Sequence, residues 1–188
     1  MDWDNSYFTM SDENNYTIWA FLKKVYDRGF IYKGYDVMPW CTRCGSALSE
    51  HEIATEGYKE LTHTSIYLKF PLKDHAKESL LVWTTTPWTL SSNIMAAVHP
   101  DLDYVKVKQA DDIYYLVQGR LSILQGDYEI LGTLKGKDML GWEYHGPYDE
   151  LPIQADIHHA IIFWDEISEN DGTGIVHIAP GCGKEDNA

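Results

Sequence analysis

Three consecutive threonines end an apolar, strand-like run and place a row of hydroxyl groups side by side. The polar and aromatic residues of this segment are, in order, Trp83, Thr84, Thr85, Thr86, Trp88, Thr89 and Asn93. Hydroxyl, amide and indole groups hydrogen-bond sugars and position water molecules, but none is a strong base at neutral pH. Because threonine is also favoured in strands, the plain alternative is a polar strand end closed by Pro87.

A second polar group lies near the end of the sequence, where a glycine turn leads into a short apolar run that carries His177. A glycine-rich loop then leads to Glu185 and Asp186. Such a loop is flexible enough to bring a carboxylate back toward the imidazole, and a carboxylate in a small pocket binds a substrate ammonium. A lone histidine on a strand is often structural, so these residues alone leave a structural and a functional interpretation open.

Cys41 and Cys44 form a Cys-x-x-Cys pair, while Cys182 stands apart. An odd number of cysteines without a secretion signal argues against a disulfide framework. Two thiolates in a knuckle turn are good zinc ligands, but a structural zinc site needs four ligands. The pair is therefore a half-site, for which Cys182 and His51 are weak substitute ligands, and we expect reduced, metal-free thiols in this chain.

Composition limits the classes of function. The chain has 188 residues, of which 44% are hydrophobic, enough for one sizeable core. Its net charge of −14 argues against autonomous binding of nucleic acid, which usually needs a basic patch, although the acidity can equally serve solubility. No stretch is long and apolar enough to cross a membrane, and the N-terminus lacks the features of a signal peptide, so we expect a cytoplasmic protein.

Two kinds of element are expected to position these residues. Ser11 as N-cap and Gly29 as C-terminal stop predict a helix over residues 12–28. Residues 30–60 are irregular, and beyond them short β-rich runs alternate with turn signals. This alternation predicts strands at residues 65–70, 80–85, 95–98, 104–107, 113–117, 128–131, 160–164 and 174–178. Short helices are predicted at 119–124 and 135–140, and a hairpin turn at Asp111-Asp112.

The predicted strands are too short, and the helices between them too few, for a doubly wound parallel sheet. We therefore predict an α+β, β-rich fold. Residues 61–188 form a mixed, partly closed β-barrel with short helices. Residues 1–60 form a connector made of the helix and a zinc-knuckle turn.

Four segments, in this order along the chain, resemble one family over essentially the whole sequence. Segments 83–90 with Asn93, and 172–181 with Asp186, resemble the two core motifs of the editing domain of isoleucyl-tRNA synthetases. Segments 1–10 and 39–52 resemble the region that leads into that domain. The leucine and valine enzymes are similar, but they typically carry an arginine where this chain has Thr86.

The resemblance implies hydrolysis of mischarged valyl-tRNA(Ile) by direct attack of water, within an isoleucine–tRNA ligase. It implies that Asp186 binds the substrate ammonium and that His177 bounds the side-chain pocket. The threonines would hold the terminal adenosine and the hydrolytic water. The residues that it implicates in catalysis are Thr84, Thr85, Thr86, Asn93, His177 and Asp186, and those in substrate binding are Trp83, Trp88 and Thr89.

The resemblance also sets expectations for cofactors and partners. Editing would need no cofactor, and ATP would bind only at the parent's aminoacylation site, whose signatures do not occur in this sequence. Zinc would bind Cys41 and Cys44 together with a second pair farther along the parent chain. The expected partners are the 3′ end of tRNA(Ile) with its valine ester and the rest of the synthetase, without a membrane. The family often has a histidine where this chain has Cys182, so that position receives no role.

Two alternatives to an editing enzyme stay open. The first is a binding module that positions the tRNA end and is inactive in isolation. The acidic charge and an expected truncation at the C-terminal end favour it. The second is a free-standing deacylase that acts in trans, against which the resemblance of residues 1–60 to a synthetase connector argues.

Overall fold

The computed structural model describes residue 4, residues 6–57 and residues 59–187. The chain divides into two compact units, Met1–Asp36 and Val37–Ala188. The predicted connector over residues 1–60 and the predicted domain over 61–188 stay a prediction. None of the helices in the described residues is both long and apolar enough to span a bilayer.

The first unit contains the helix α1 (Asp12–Asp27), which confirms the sequence prediction. The Ser11 side chain accepts a hydrogen bond from the backbone N–H of Asn14, and Asp12 and Glu13 lie in the first turn, where the helix dipole favours negative charge. Gly29 adopts a φ of +76°, which ends the helix as predicted.

The described part of the second unit, residues 37–57 and 59–187, holds ten strands. They are β1 (Trp40–Cys41), β2 (Ser46–Ala47), β3 (Ile66–Pro71), β4 (Glu78–Thr84), β5 (Met95–Val98), β6 (Asp103–Gln109), β7 (Asp112–Val117), β8 (Glu129–Lys135), β9 (Ile161–Phe163) and β10 (Ile175–Ile178). The last eight confirm the eight predicted strands to within a few residues. The hairpin turn is also confirmed, although it lies at Ala110-Asp111, where Ala110 has a positive φ.

The remaining helical segments are short. They are α2 (Glu50–Glu52), a π-helical turn at Ile53–Gly57, and 3₁₀ turns at Pro87–Ser92, Gln118–Ile123, Gly136–Met139, Pro152–Gln154 and Glu185–Asn187. Those at 118–123 and 136–139 confirm the two predicted short helices. The α+β, strand-rich class is therefore confirmed.

Among the described residues, the strands of the second unit pair into three sheets. The largest has the order β3-β4-β7-β6-β8, with a parallel pair between β4 and β7 and antiparallel pairs elsewhere. A second sheet has the order β10-β5-β9, and β1 pairs only with β2. β4 contacts β10, which brings the two larger sheets together.

The main core lies between these two sheets. Val82 and Leu80 on β4 and Ile175 on β10 are fully buried in it, together with Tyr144 from a loop. Leu81, on the opposite face of β4, packs in a second apolar cluster with residues of β6 and β7. β4 is therefore covered on both faces, which fixes the place where its polar C-terminal end emerges.

Candidate functional site

A cavity of about 270 Å³ opens where β4 ends beside β10. Its lining residues are Trp83, Thr84, Thr85, Thr86, Thr89, Val176, His177, Cys182, Gly183 and Asp186. Residues 83–89 are called the threonine wall below, and residues 176–186 the carboxylate wall. The two polar groups that the sequence separates by about ninety residues therefore meet in one cavity.

Seven of the nine residues predicted to catalyse or to bind substrate line this cavity, and two do not. Asn93 is wholly buried behind the threonine wall. Trp88 is 70% exposed, and its ring lies 6.3 Å from that of His63. The functional roles assigned to all nine residues stay predictions.

The threonine wall is organised by its own hydrogen bonds. The Thr84 Oγ1 atom accepts from the backbone N–H of Thr86 at 3.1 Å, and Thr89 donates its hydroxyl proton to the Thr86 carbonyl at 2.8 Å. Pro87 begins the 3₁₀ turn with a fixed φ, so the chain turns sharply between these threonines. Thr85 is exposed, whereas Thr84 is buried, so neighbouring hydroxyl groups face different surroundings.

His177 joins the two walls. Its Nε2 atom lies 2.9 Å from Thr89 Oγ1, and only 7% of the residue is exposed. Because the single Thr89 proton goes to the Thr86 carbonyl, the hydroxyl accepts from an Nε2–H group. Burial lowers the pKa of His177, and the nearby Asp186 carboxylate only partly opposes this shift, so the ring is neutral at pH 7. Its Nδ1 atom is buried without a hydrogen-bond partner among the described residues.

A glycine turn holds the start of the strand that carries His177. The Gly172 backbone, at a φ of +56°, lies so close to Trp83 that an added Cβ would stand 2.5 Å from the indole ring. Three successive carbonyl groups of the turn accept hydrogen bonds from the larger sheet and the turn after it. The pairs are Arg120 Nε to Gly172 O, Val117 N to Thr173 O, and Tyr104 Oη to Gly174 O, at 3.0, 2.8 and 2.6 Å.

Asp186 is the one carboxylate among the lining residues. Its Oδ2 atom accepts from the backbone N–H of Ala179 at 2.9 Å, and the Cys182 N–H bonds to the Ala179 carbonyl at 2.8 Å. The loop therefore folds back on itself and brings the carboxylate to the cavity, as the glycine-rich sequence predicts. The neighbouring Glu185 is exposed and is not among the lining residues.

Three lining residues had no role in the sequence prediction. Val176 and Gly183 carry no polar side chain, and Cys182 received no role because it departs from the family pattern. The position of Val176 beside His177 on β10 was the only sequence signal for it. These residues supply apolar surface and space next to the carboxylate.

The Cys-x-x-Cys pair lies in a knuckle turn between β1 and β2. Cys41 Sγ accepts from the backbone N–H of Cys44 at 3.3 Å, and Gly45, with a φ of +67°, closes the turn. The amide donor lowers the pKa of Cys41, while the neighbouring Cys41 sulfur raises the pKa of Cys44. Amide donors to sulfur suit a metal thiolate, but two thiols are half of a tetrahedral set.

No group of three or more potential ligands stands together within residues 6–57 and 59–187. The weak substitutes His51 and Cys182 therefore do not complete a site with this pair. Zinc binding stays a prediction, and no chemistry of the cavity depends on it.

Comparisons with known proteins agree on one family. The family model described as tRNA synthetases class I (I, L, M and V) matches residues 1–163. The chain is similar to an isoleucine–tRNA ligase of Clostridium kluyveri, with 39% identity over 187 residues, and to one of Thermus thermophilus, with 42% identity over 192 residues. The alignments cover 100% and 99% of this chain but 18% of each relative.

The fold also resembles that of solved editing domains. The editing domain of the P. knowlesi cytosolic leucyl-tRNA synthetase superposes with a TM-score of 0.50 at 16% sequence identity. The match covers 62% of this chain and 56% of that domain. At this identity the likeness concerns the architecture, which is that of a strand-rich editing domain.

Proposed function

The chain belongs to the class I tRNA synthetases (I, L, M and V), and on that premise we propose that its cavity hydrolyses the ester bond of mischarged valyl-tRNA(Ile). The observation that carries the proposal is the convergence of a threonine row, a neutral imidazole and a single carboxylate in one small cavity. The parent protein is an isoleucine–tRNA ligase, as the names of the relatives suggest. It acts in the cytoplasm, and ATP binds at its separate aminoacylation site.

The need for a second, smaller site supports valine as the amino acid that is removed. A pocket that accepts isoleucine cannot strongly reject valine, a limit for which isoleucyl-tRNA synthetases are themselves the standard example. A second site must therefore be too small for isoleucine. Thr89 and His177 stand 2.9 Å apart, so they close one side of the cavity with a rigid polar contact.

The single carboxylate supports an aminoacyl substrate. An α-ammonium group is the one positive charge that every aminoacyl ester carries, and a carboxylate is its natural partner. Asp186 is fixed by the Ala179 N–H through Oδ2, which leaves Oδ1 for the ammonium. The row of hydroxyl groups on the threonine wall binds the ribose of the terminal adenosine and positions a water molecule.

Hydrolysis proceeds by attack of this water on the ester carbonyl. The bond between the carbonyl carbon and the ribose oxygen breaks, the water proton goes to that oxygen, and valine and tRNA are released. Thr89 is not an activated nucleophile, because its proton is donated to the Thr86 carbonyl rather than to His177. A ribose hydroxyl of the tRNA assists the proton transfer, since the threonine hydroxyls are not strong bases.

A second candidate is a module that binds the tRNA 3′ end without catalysis. The net charge of −14 favours the lack of activity in isolation that this candidate predicts, because the acidic chain repels the phosphate backbone. In both cases the rest of the synthetase would add contacts to the body of the tRNA, while the cavity itself takes the aminoacyl end. The chain spans 18% of the length of its relatives, which leaves most of such a protein for that purpose.

Deacylation assays with purified chain separate these candidates. We expect release of valine from valyl-tRNA(Ile) and little release of isoleucine from isoleucyl-tRNA(Ile). Asp186→Asn keeps an acceptor for the Ala179 N–H but removes the charge, so valine release falls roughly ten- to hundredfold. Glu185→Gln removes the neighbouring charge outside the cavity and leaves the rate unchanged.

Equal loss in both variants would contradict the anchoring role of Asp186. Thr85→Ala tests the exposed hydroxyl in the same assay, and unchanged hydrolysis would contradict a role for it. A folded chain that binds valyl-tRNA(Ile) without hydrolysing it would favour the binding module.

A further inference from the structure

We propose that Tyr144 is a positioning residue for the cavity, and that it acts through Asn93. Neither residue lines the cavity. The hydroxyl group of Tyr144 fixes the Asn93 side chain, and Asn93 fixes the junction between the two walls. The structural part stands on contacts within the core, while the expected effect on hydrolysis rests on the proposed function.

Both polar ends of the Asn93 side chain are hydrogen-bonded within the protein. Its Oδ1 atom accepts from the Tyr144 hydroxyl at 2.8 Å, and its Nδ2 group donates to the Met95 carbonyl at 2.8 Å. The residue is fully buried. In this arrangement neither end of the amide faces a substrate, so any influence of Asn93 on the reaction passes through the groups that it holds.

Tyr144 is itself held rigidly. It is fully buried, its ring stacks on Phe70 at 5.0 Å, and it lies 5.2 Å from the ring of His159. Burial raises the pKa of Tyr144, so the phenol stays protonated and remains a donor across the physiological range. The hydroxyl therefore offers Asn93 a permanent donor from a fixed direction.

The segment 93–95 is where the two walls meet. Asn93 ends the 3₁₀ turn that begins at Pro87 and carries Thr89, and Met95 begins β5. β5 pairs with β10 so that Ala96 stands opposite His177. A shift of this segment would therefore move Thr89 relative to His177.

His159 holds the middle of the same segment. Its Nδ1 atom lies 3.2 Å from the Ile94 carbonyl, an oxygen that can only accept, so Nδ1 is the donor. Its Nε2 atom lies 3.1 Å from Asp149 Oδ1. Successive residues of the junction are thus fixed by neighbouring aromatic residues, with Tyr144 as the one that bonds to a side chain.

Tyr144→Phe removes one oxygen and keeps the ring in the core. It leaves Asn93 Oδ1 buried without its donor, and the amide must turn to find another partner. Tyr115→Phe is the matched control. Tyr115 is a buried core tyrosine whose hydroxyl bonds to Glu78, and Glu78 lies at the opposite end of β4 from Thr84, about 20 Å along the strand.

The first experiment measures the cavity directly by NMR of this chain, with ¹³C-labelled threonine methyl groups and ¹⁵N-labelled histidine rings. Tyr144→Phe should shift the methyl signals of Thr86 and Thr89 and the ring signals of His177. Tyr115→Phe should leave them in place, while both variants lower the midpoint of thermal unfolding by a few degrees. Unchanged cavity signals in folded Tyr144→Phe would overturn the proposal.

A second measurement separates positioning from stability. Adding Asn93→Leu to Tyr144→Phe would also take the donor from the Met95 carbonyl, so Tyr144→Phe is instead stabilised with sucrose, which raises its unfolding midpoint without restoring the hydroxyl group. The signals of Thr89 and His177 should nevertheless stay displaced. If they return to their wild-type positions as stability recovers, the role of Tyr144 is only structural.

Hydrolysis of valyl-tRNA(Ile) is the functional readout. Tyr144→Phe should lower kcat about tenfold with little change in KM and reduce the preference for the valyl over the isoleucyl ester, whereas Tyr115→Phe should change neither. If the wild-type chain hydrolyses neither ester, the proposed function fails, and the NMR comparison still decides the positioning role. A wild-type preference in folded Tyr144→Phe would contradict that role directly.

Discussion

The threonine wall and the carboxylate wall bound the same cavity but are held in different ways. The threonine wall is one continuous turn whose hydroxyl and amide groups bond to one another, and it follows a strand buried on both faces. The carboxylate wall follows a crowded glycine turn and ends in an exposed loop, where Asp186 bonds to the Ala179 N–H.

This difference suits two tasks in the proposed reaction. Discrimination between side chains that differ by one methylene needs a pocket whose atoms keep their positions. The hydrogen bond between Thr89 and His177 joins the threonine wall to the strand of the carboxylate wall. An ammonium anchor tolerates more movement, because a charge acts over a longer distance than a steric contact. The rigid contact between Thr89 and His177 therefore lies where the pocket would distinguish the two side chains by size.

The largest expected effect comes from a substitution in the glycine turn that precedes the carboxylate wall. In Gly172→Ala the new Cβ would stand 2.5 Å from the Trp83 ring at a φ of +56°, so the turn or the indole must move. We expect a loss of about 2–4 kcal/mol in the free energy of unfolding, measured by chemical denaturation. Gly126→Ala, with a φ of +85° and open space around the new atom, should lose only about 1 kcal/mol. Equal losses would mean that the contact with Trp83 does not hold the wall.

A smaller effect on stability distinguishes two neighbouring threonines of the threonine wall, Thr84 and Thr85. Thr84→Val keeps the shape of the side chain but leaves the backbone N–H of Thr86 without its acceptor. This should cost about 1–3 kcal/mol in the free energy of unfolding. Thr85→Val changes an exposed hydroxyl and should stay within about 0.5 kcal/mol of wild type. Denaturation curves of the two variants test this, and a costly Thr85→Val would contradict the division between a structural and an accessible hydroxyl.

The comparison also explains what the sequence could predict. The strands were predictable because short, mostly apolar runs bounded by turn signals are local patterns, and β4, β5 and β10 are such runs. The 3₁₀ turn at Pro87–Ser92 was not, because its threonine, serines and tryptophan favour no helix, and only the initial proline marks it. The threonine wall was thus identified by its residues before its shape could be known.

The burial of Asn93 could not be predicted from the sequence for a different reason. Its partner Tyr144 is 51 residues away, and nothing in either neighbourhood links them. An amide behind the cavity and an amide within it have the same sequence pattern. The same holds for Gly172, whose need for a missing Cβ depends on a ring that lies 89 positions earlier in the chain.

The smallest effect tests the bond that joins the walls, through the pH dependence of stability. Burial lowers the pKa of His177 in the folded chain below its ordinary value near 6.5. Between these two values the unfolded chain binds a proton that the folded chain does not, so stability falls as pH decreases below about 6.5. Other titratable groups also make the free energy of unfolding depend on pH. The contribution of His177 is the difference between wild type and His177→Gln.

The difference in the free energy of unfolding between wild type and His177→Gln should not change with pH above pH 7. Below pH 6.5 it should change by at most about 1.4 kcal/mol per pH unit, the limit for one proton. His158→Gln is the control, because His158 is an exposed ring paired with Glu143 away from the cavity. Denaturation at pH 5.5, 6.5 and 7.5 measures all three proteins. If His177→Gln keeps the wild-type slope, the ring binds a proton as readily in the folded chain as in the unfolded chain, and the contact with Thr89 is then not rigid.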